Sequence, residues 1–177
     1  MAILNILQYP DPRLRRKGYN VSDIRAPEIQ KIIDDMLGTL ADTKNCAALA
    51  ATQLDMESPP NIVVINGLEE DGKQFCLINP QIVGKEGREI AEEGCMSVFP
   101  DQVRFKVERA LTVLVTAISV DAKPMRFKAE GFMARCIQHE CDHLNGVLYL
   151  DYLSCEERML LEEKMVEQRL LDAPVCI

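Results

Sequence analysis

Hydrophobic and polar positions recur with two different periods along this chain, and the changes of period divide it into stretches. From Pro27 the apolar residues Ile29, Ile32, Ile33, Met36, Leu37 and Leu40 fall at helical spacing, behind a first-turn proline and Glu28. That pattern predicts an amphipathic helix. The middle of the chain switches to strand-like runs. Ile62-Val63-Val64-Ile65 and Phe75-Cys76-Leu77-Ile78 flank Glu70-Asp71-Gly72-Lys73, a hairpin signal. Gln81-Ile82-Val83 follows, with a turn expected at Gly84-Lys85-Glu86-Gly87. Val103, Phe105 and Val107 alternate with charged residues, and the run 111–120 turns at Asp121-Ala122-Lys123-Pro124 into Met125-Arg126-Phe127. Helical spacing returns from about 131 to 145, with Gly146 as the stop signal. A last helix, 154–171, opens with the capping box Ser154-Cys155-Glu156-Glu157 and continues through Leu160, Leu161, Met165 and Leu170. The order predicts an α+β fold: antiparallel sheets packed around a central helix, with an N-terminal and a C-terminal helix. Without an internal repeat or a long linker, residues 1–177 read as one domain.

Composition narrows the function classes. The chain is 47% hydrophobic and 27% charged, which fits a packed core rather than disorder. No run approaches the ~18 consecutive apolar residues of a membrane span. The first ten residues carry neither a basic n-region nor a small-residue cleavage site. A cytoplasmic protein with no membrane partner is expected. Twenty Lys and Arg against 28 Asp and Glu give a formal charge of −8, which disfavours autonomous nucleic-acid binding. The basic cluster Arg13-Leu14-Arg15-Arg16-Lys17 reads as a solvated loop. Seven cysteines, odd in number and without a CxxC pair, read as reduced thiols, of which one or two carry chemistry.

The chain has two histidines, both in Gln138-His139-Glu140-Cys141-Asp142-His143. Residues four apart share a helix face, so both imidazoles can reach one metal ion while Glu140 reaches a water on it. Phe132, Cys136, His139 and His143 follow the helix at spacings four, three and four, which turns both histidines inward. An unpaired imidazole there would be costly. For a third ligand, Asp151, Glu156 and Glu157 stand downstream, and Cys95 stands upstream in Glu93-Gly94-Cys95-Met96-Ser97. Cys76, Cys136 and Cys176 read as buried thiols.

Glu-Gly-Cys-Met-Ser together with Gln-His-Glu-x-Asp-His resembles the second and third signature motifs of peptide deformylases. The first family motif, Gly-φ-Gly-φ-Ala-Ala-x-Gln, is similar to Cys46-Ala47-Ala48-Leu49-Ala50-Ala51-Thr52-Gln53, with Cys46 and Ala48 at its two glycines. Tyr9-Pro10-Asp11-Pro12-Arg13-Leu14-Arg15 resembles the family's amino-terminal segment, and Val107-Glu108-Arg109 its strand after the second motif. The resemblance implies that Cys95, His139 and His143 hold a metal and that Glu140 is the general acid/base. It further implies that the Gln53 side-chain amide and the Met96 backbone N–H stabilise the oxyanion. The implied activity is removal of the formyl group from the formyl-methionine of nascent polypeptides. The implied cofactor is one divalent transition metal, typically iron(II), with zinc, nickel or cobalt able to occupy the site. In the family the first motif is a strand edge along which the peptide lies, and ribosome association runs through a carboxy-terminal extension. Here the segment 154–171 carries Glu156, Glu157, Glu162, Glu163 and Glu167 against Arg158, Lys164 and Arg169, the pattern of a solvated helix with one face on the domain.

The chemistry also follows from the residues. Three ligands leave a fourth position for water, whose pKa a metal lowers towards ~7. Attack on an amide makes an oxyanion, for which one fixed donor is worth roughly 3 kcal/mol. The methionine preference that the resemblance implies requires an apolar pocket, for which Phe132, Cys136 and Ile137 are available. Two other readings compete: a deformylase-like paralogue with altered substrate or low activity, and a non-enzymatic metal-stapled binding module. Glu140 speaks against the second, since a structural site is usually closed by a fourth ligand.

Overall fold

The structure is a computed structural model describing residues 1–67, 73–100 and 103–172, with side chains described as far as 166. The expected N-terminal helix is α1, Pro27–Asp42, and buries Ile29, Ile33, Met36 and Leu40. Each such side chain contributes roughly 1.5–3 kcal/mol. Five strands form the main sheet: β1 (Ala48–Ala50), β2 (Ile62–Ile65), β3 (Phe75–Glu86), β6 (Thr112–Ile118) and β7 (Pro124–Glu130), in that spatial order. Every pair is antiparallel. A second sheet pairs β4 (Glu89–Glu93) with β5 (Phe105–Arg109). Helix α2, Gly131–Leu144, lies between the two sheets, and α3, Cys155–Asp172, is the last element among the described residues.

Strand β2 shows why this layering forms. All four of its residues are buried, and successive side chains of a strand point to opposite faces. Ile62 and Val64 pack in one cluster with the α1 residues Ile33, Met36 and Leu40. Val63 and Ile65 pack in another with the α2 residues Ala134, Ile137 and Leu144. The main sheet is thus sandwiched between α1 and α2.

Helix α2 in turn has two characters. Ala134, Ile137 and Leu144 face the main sheet, while Arg135, His139 and His143 are buried among polar partners. Its end is fixed by Gly146, at φ +73°, where an added Cβ would lie 2.3 Å from the Arg15 carbonyl oxygen. Only glycine meets both demands.

Several expectations change. The runs at 75–78 and 81–83 belong to one twelve-residue strand, β3, whose register shifts between Ile78 and Gln81 and again between Ile82 and Gly84. Bulges of this kind absorb Pro80, which cannot donate to the ladder. The turn expected at 84–87 moves outward to Gly87, at φ +65°. Strand β4 forms from a Glu-rich stretch that carries no run of apolar residues. The hairpin of β2 and β3 is present, Ile65 pairing with Phe75, but its turn at 70–72 lies outside the described residues. The cluster 13–17 is not a simple solvated loop. Pro12–Arg15 is a 3₁₀ turn capped by Asp11, Arg13 pairs with Asp11 and Asp55, and Arg15 pairs with Asp151. The capping box of α3 forms in both directions between Ser154 and Glu157. Leu161 is buried against the domain while Leu160 is exposed. Cys76 is buried and Cys136 half-buried; Cys176 lies outside the described residues.

Candidate metal centre and cleft

Helix α2 and the turn after β4 meet at three ligand-type atoms. Cys95 Sγ lies 3.2 Å from His143 Nε2, which lies 3.1 Å from His139 Nε2. One ligand atom from each of the three residues falls within 4.8 Å of the others, and all three residues are buried. Helical spacing puts the imidazoles on one face, and Cys95 follows two residues after the end of β4.

The hydrogen bonding tests whether this group suits a metal ion. Glu93 Oε2 stands 3.0 Å from His139 Nδ1. A carboxylate only accepts, so the proton sits on Nδ1 and the Nε2 lone pair is turned towards Cys95 and His143. Three electron-pair donors packed this closely in a buried pocket repel unless a cation lies among them. The donor set therefore fits a divalent ion. Asp151 is engaged elsewhere, with Arg15.

Glu93 is itself tightly held. Arg109 donates to both of its oxygens, at 2.8 and 3.0 Å, and Arg135 donates to Oε1 at 3.0 Å. Burial raises the Glu93 pKa, but the hydrogen bonds from His139 and Arg109 outweigh it and bring the value to about 2. Arg109 also pairs with Asp142 at 2.5 Å and lies 4.6 Å from the ring centre of Tyr152. The Tyr152 hydroxyl donates to the same Asp142 oxygen. A continuous chain of charge thus runs from the surface at Tyr152 to the His139 ring. Arg135 further ties α2 to β4 and β5 through Glu89 and the Val107 carbonyl.

The remaining expected site residues surround the group. Gln53 Nε2 donates to Cys95 Sγ (3.5 Å) and Ser97 Oγ (3.2 Å), while its Oε1 accepts from Ala50 N–H (2.9 Å). Ser97 N–H also points at Cys95 Sγ (3.4 Å). Met96 N–H has no protein acceptor among the described residues. Glu140 is 4% exposed and its Oε2 has no partner. Burial pushes its carboxyl up to about 7, an effect that a nearby cation would oppose.

Gln53, Cys95, Met96, His139 and Glu140 line a cleft of about 230 Å³ whose mouth carries Lys44, Arg104, Glu92 and Phe132. One wall is α2, and the other is β1 with the residues before it. Phe132, expected to follow the histidines inward, is 55% exposed because it begins the helix at the cleft mouth. Cys136 lines the cleft, but Ile137 does not. One residue further on, Ile137 turns by a helical step into the main-sheet core.

No local sequence pattern singles out Glu93, Arg135 or Gln138. Gln138 binds both backbone groups of Ala110, fastening α2 to the β5–β6 connection. Arg109 carried a usable signal. Counting in twos from Phe105 and Val107 puts it on the buried face of its strand, where a guanidinium demands a carboxylate.

Comparison with known proteins agrees with this geometry. The family model described as polypeptide deformylase matches residues 3–159. Peptide deformylase 1 of Coxiella burnetii is 45% identical over 167 residues, covering 94% of this chain and 97% of that protein. The crystal structure of a peptide deformylase from Legionella pneumophila superposes with a TM-score of 0.86 at 36% identity, covering 98% and 99% of the two chains. A Met-Ala-Ser-bound class I type b peptide deformylase from Acinetobacter baumannii gives a TM-score of 0.76 at 25% identity, covering 86% and 99%.

Proposed function

Since the chain belongs to the polypeptide deformylase family, we propose that Cys95, His139 and His143 hold its catalytic metal and that Glu140, Gln53 and Met96 act around it. The protein is a metallohydrolase that removes the N-formyl group from nascent polypeptides. The observation that carries the residue assignment is the meeting of one thiol and two imidazole nitrogens beside a buried carboxylate.

A divalent ion held by Cys95, His139 and His143 would supply Lewis-acid polarisation and acidify water for attack at neutral pH. Glu140 takes the proton from the attacking water and delivers it to the departing amine. Its second oxygen, buried without a partner, is the free acceptor that this step needs. Met96 N–H stands unengaged for the oxyanion. Gln53 joins it by exchanging its bond to Ser97 for one to the substrate, its amide orientation kept by Ala50. Preformed donors of this kind contribute roughly 3 kcal/mol each. The formyl-methionyl peptide lies along the β1 edge, with its side chain among Phe132, Cys136 and Met96.

We assign iron(II) as the native ion because membership of the family implies it, with zinc, nickel or cobalt as substitutes that one soft thiolate and two imidazoles also accept. Residues 1–177 act as one domain. The substrate is a chain still being synthesised, which puts the enzyme in the cytoplasm in transient association with the ribosome. Among the described residues no helix is long and apolar enough to cross a membrane.

Formate release from formyl-Met-Ala-Ser, measured anaerobically with iron(II) or with added nickel(II), is the direct test. Glu140→Gln keeps the shape of the side chain but cannot take a proton. Turnover should fall by about 10²-fold or more with metal content intact. Near-normal turnover in that variant would place the base elsewhere.

A further inference from the structure

The cleft wall opposite α2 is the free edge of β1, at the margin of the five-stranded sheet. Ala48 stands opposite Ile65 in β2, and Ala50 opposite Val63. Asn66 N–H donates to the Ala47 carbonyl at 2.8 Å, marking 47 and 66 as a hydrogen-bonded pair. Such pairs alternate along an antiparallel ladder. The amide groups of Ala48 and Ala50 therefore turn away from β2, and Ala48 lines the cleft. Ala50 N–H uses that direction to bond Gln53. Ala48 is left as the position where an extended peptide can add to the edge.

Its carbonyl, however, is already engaged. The Cys46 thiol donates to Ala48 O at 3.2 Å. Cys46 is buried, lines the same cleft, and stands where the first motif of the resembling family has glycine. Burial pushes its thiol up to about 12, so the proton stays on sulfur at neutral pH.

We propose that Cys46 controls substrate docking: its thiol competes with a backbone N–H of the incoming formyl-peptide for the Ala48 carbonyl. A thiol is a weak donor, so the amide displaces or shares with it, and the competition appears in KM rather than in the chemical step. The proposal rests on reading this cleft as the deformylase site.

Kinetics of the metal-loaded enzyme with formyl-Met-Ala-Ser test it. Cys46→Ala removes the donor and keeps Cβ, so KM should fall by about two- to tenfold, the range of one hydrogen bond, with the effect confined to KM. Cys46→Ser keeps a donor and should hold KM near or above the parent value, whereas a purely steric role would lower KM in both variants. The infrared S–H stretch of Cys46, assigned from the parent minus Cys46→Ala difference, should move to higher frequency when Met-Ala-Ser is added. An unchanged or raised KM in Cys46→Ala, a lowered KM in Cys46→Ser, or an S–H band unmoved by the peptide would each overturn the proposal. If the parent releases no formate with either metal, the functional reading fails instead. The S–H band, read with peptide alone, still decides the docking role.

Discussion

Along the α2 wall of the cleft, a chain of buried charge orients the His139 ring, whereas the β1 wall offers bare backbone and small side chains. His139 is oriented by Glu93, Glu93 is gripped by Arg109 and Arg135, and Arg109 is anchored by Asp142 and Tyr152. Across the cleft, Ala47 and Ala48 present backbone groups, and the side-chain contact there is one thiol bond. The difference matches the work each wall does. Ligands and proton carriers must be held within a fraction of an ångström, and a connected set of charged hydrogen bonds does that. A docking edge recognises any peptide through backbone groups, so it needs open amides and little bulk. The departures from the family's first motif fall on the docking wall. Ala48 is extended, since the positive-φ residues are elsewhere. Its methyl therefore narrows the cleft without straining the strand.

The sharpest way to break the contrast is to remove a ligand. Cys95→Ala should lose the metal and with it essentially all turnover, because two imidazoles alone hold a divalent ion poorly. Metal content per chain after purification measures this; full occupancy would move the third ligand away from Cys95.

A smaller effect is expected one layer out. Arg109→Met strips Glu93 of its two-pronged partner inside the protein, and breaking a buried pair in this way costs about 3–5 kcal/mol. Denaturant unfolding should show it, and Arg109→Met combined with Glu93→Gln should recover part of the loss. A change below about 1 kcal/mol would mean that the charge on this wall orients His139 without supporting the fold.

The smallest effect belongs to the docking wall. Ala48→Gly should lower stability by about 0.5–1 kcal/mol through backbone entropy. It should raise kcat/KM for formyl-Met peptides by about two- to fourfold, the scale of one methyl group, with metal content unchanged. Unaltered or lower kcat/KM would show that the methyl is neutral packing and that the wall tolerates it freely.

What the sequence determined alone was local and periodic. Apolar spacing marked α1 and α2, and Ser154 with Glu157 marked the start of α3. The interval between His139 and His143 put two imidazoles on one face, because a helix repeats every 3.6 residues whatever surrounds it. Cys95 became a ligand candidate through the order of its neighbours, and the structure brings it to 3.2 Å from His143. Tertiary structure decided the rest. Glu93 meets Arg109, Arg135 and His139 across separations of 16, 42 and 46 residues, and no local pattern encodes such pairings. The Glu-rich β4 is a strand because β5 and the two arginines supply its partners, overriding weak intrinsic preference. Phe132 and Ile137 share a helix and an apolar character. One opens on the cleft and the other enters the core, because the sheet against which α2 packs, not the periodicity of α2, chooses which apolar face is buried.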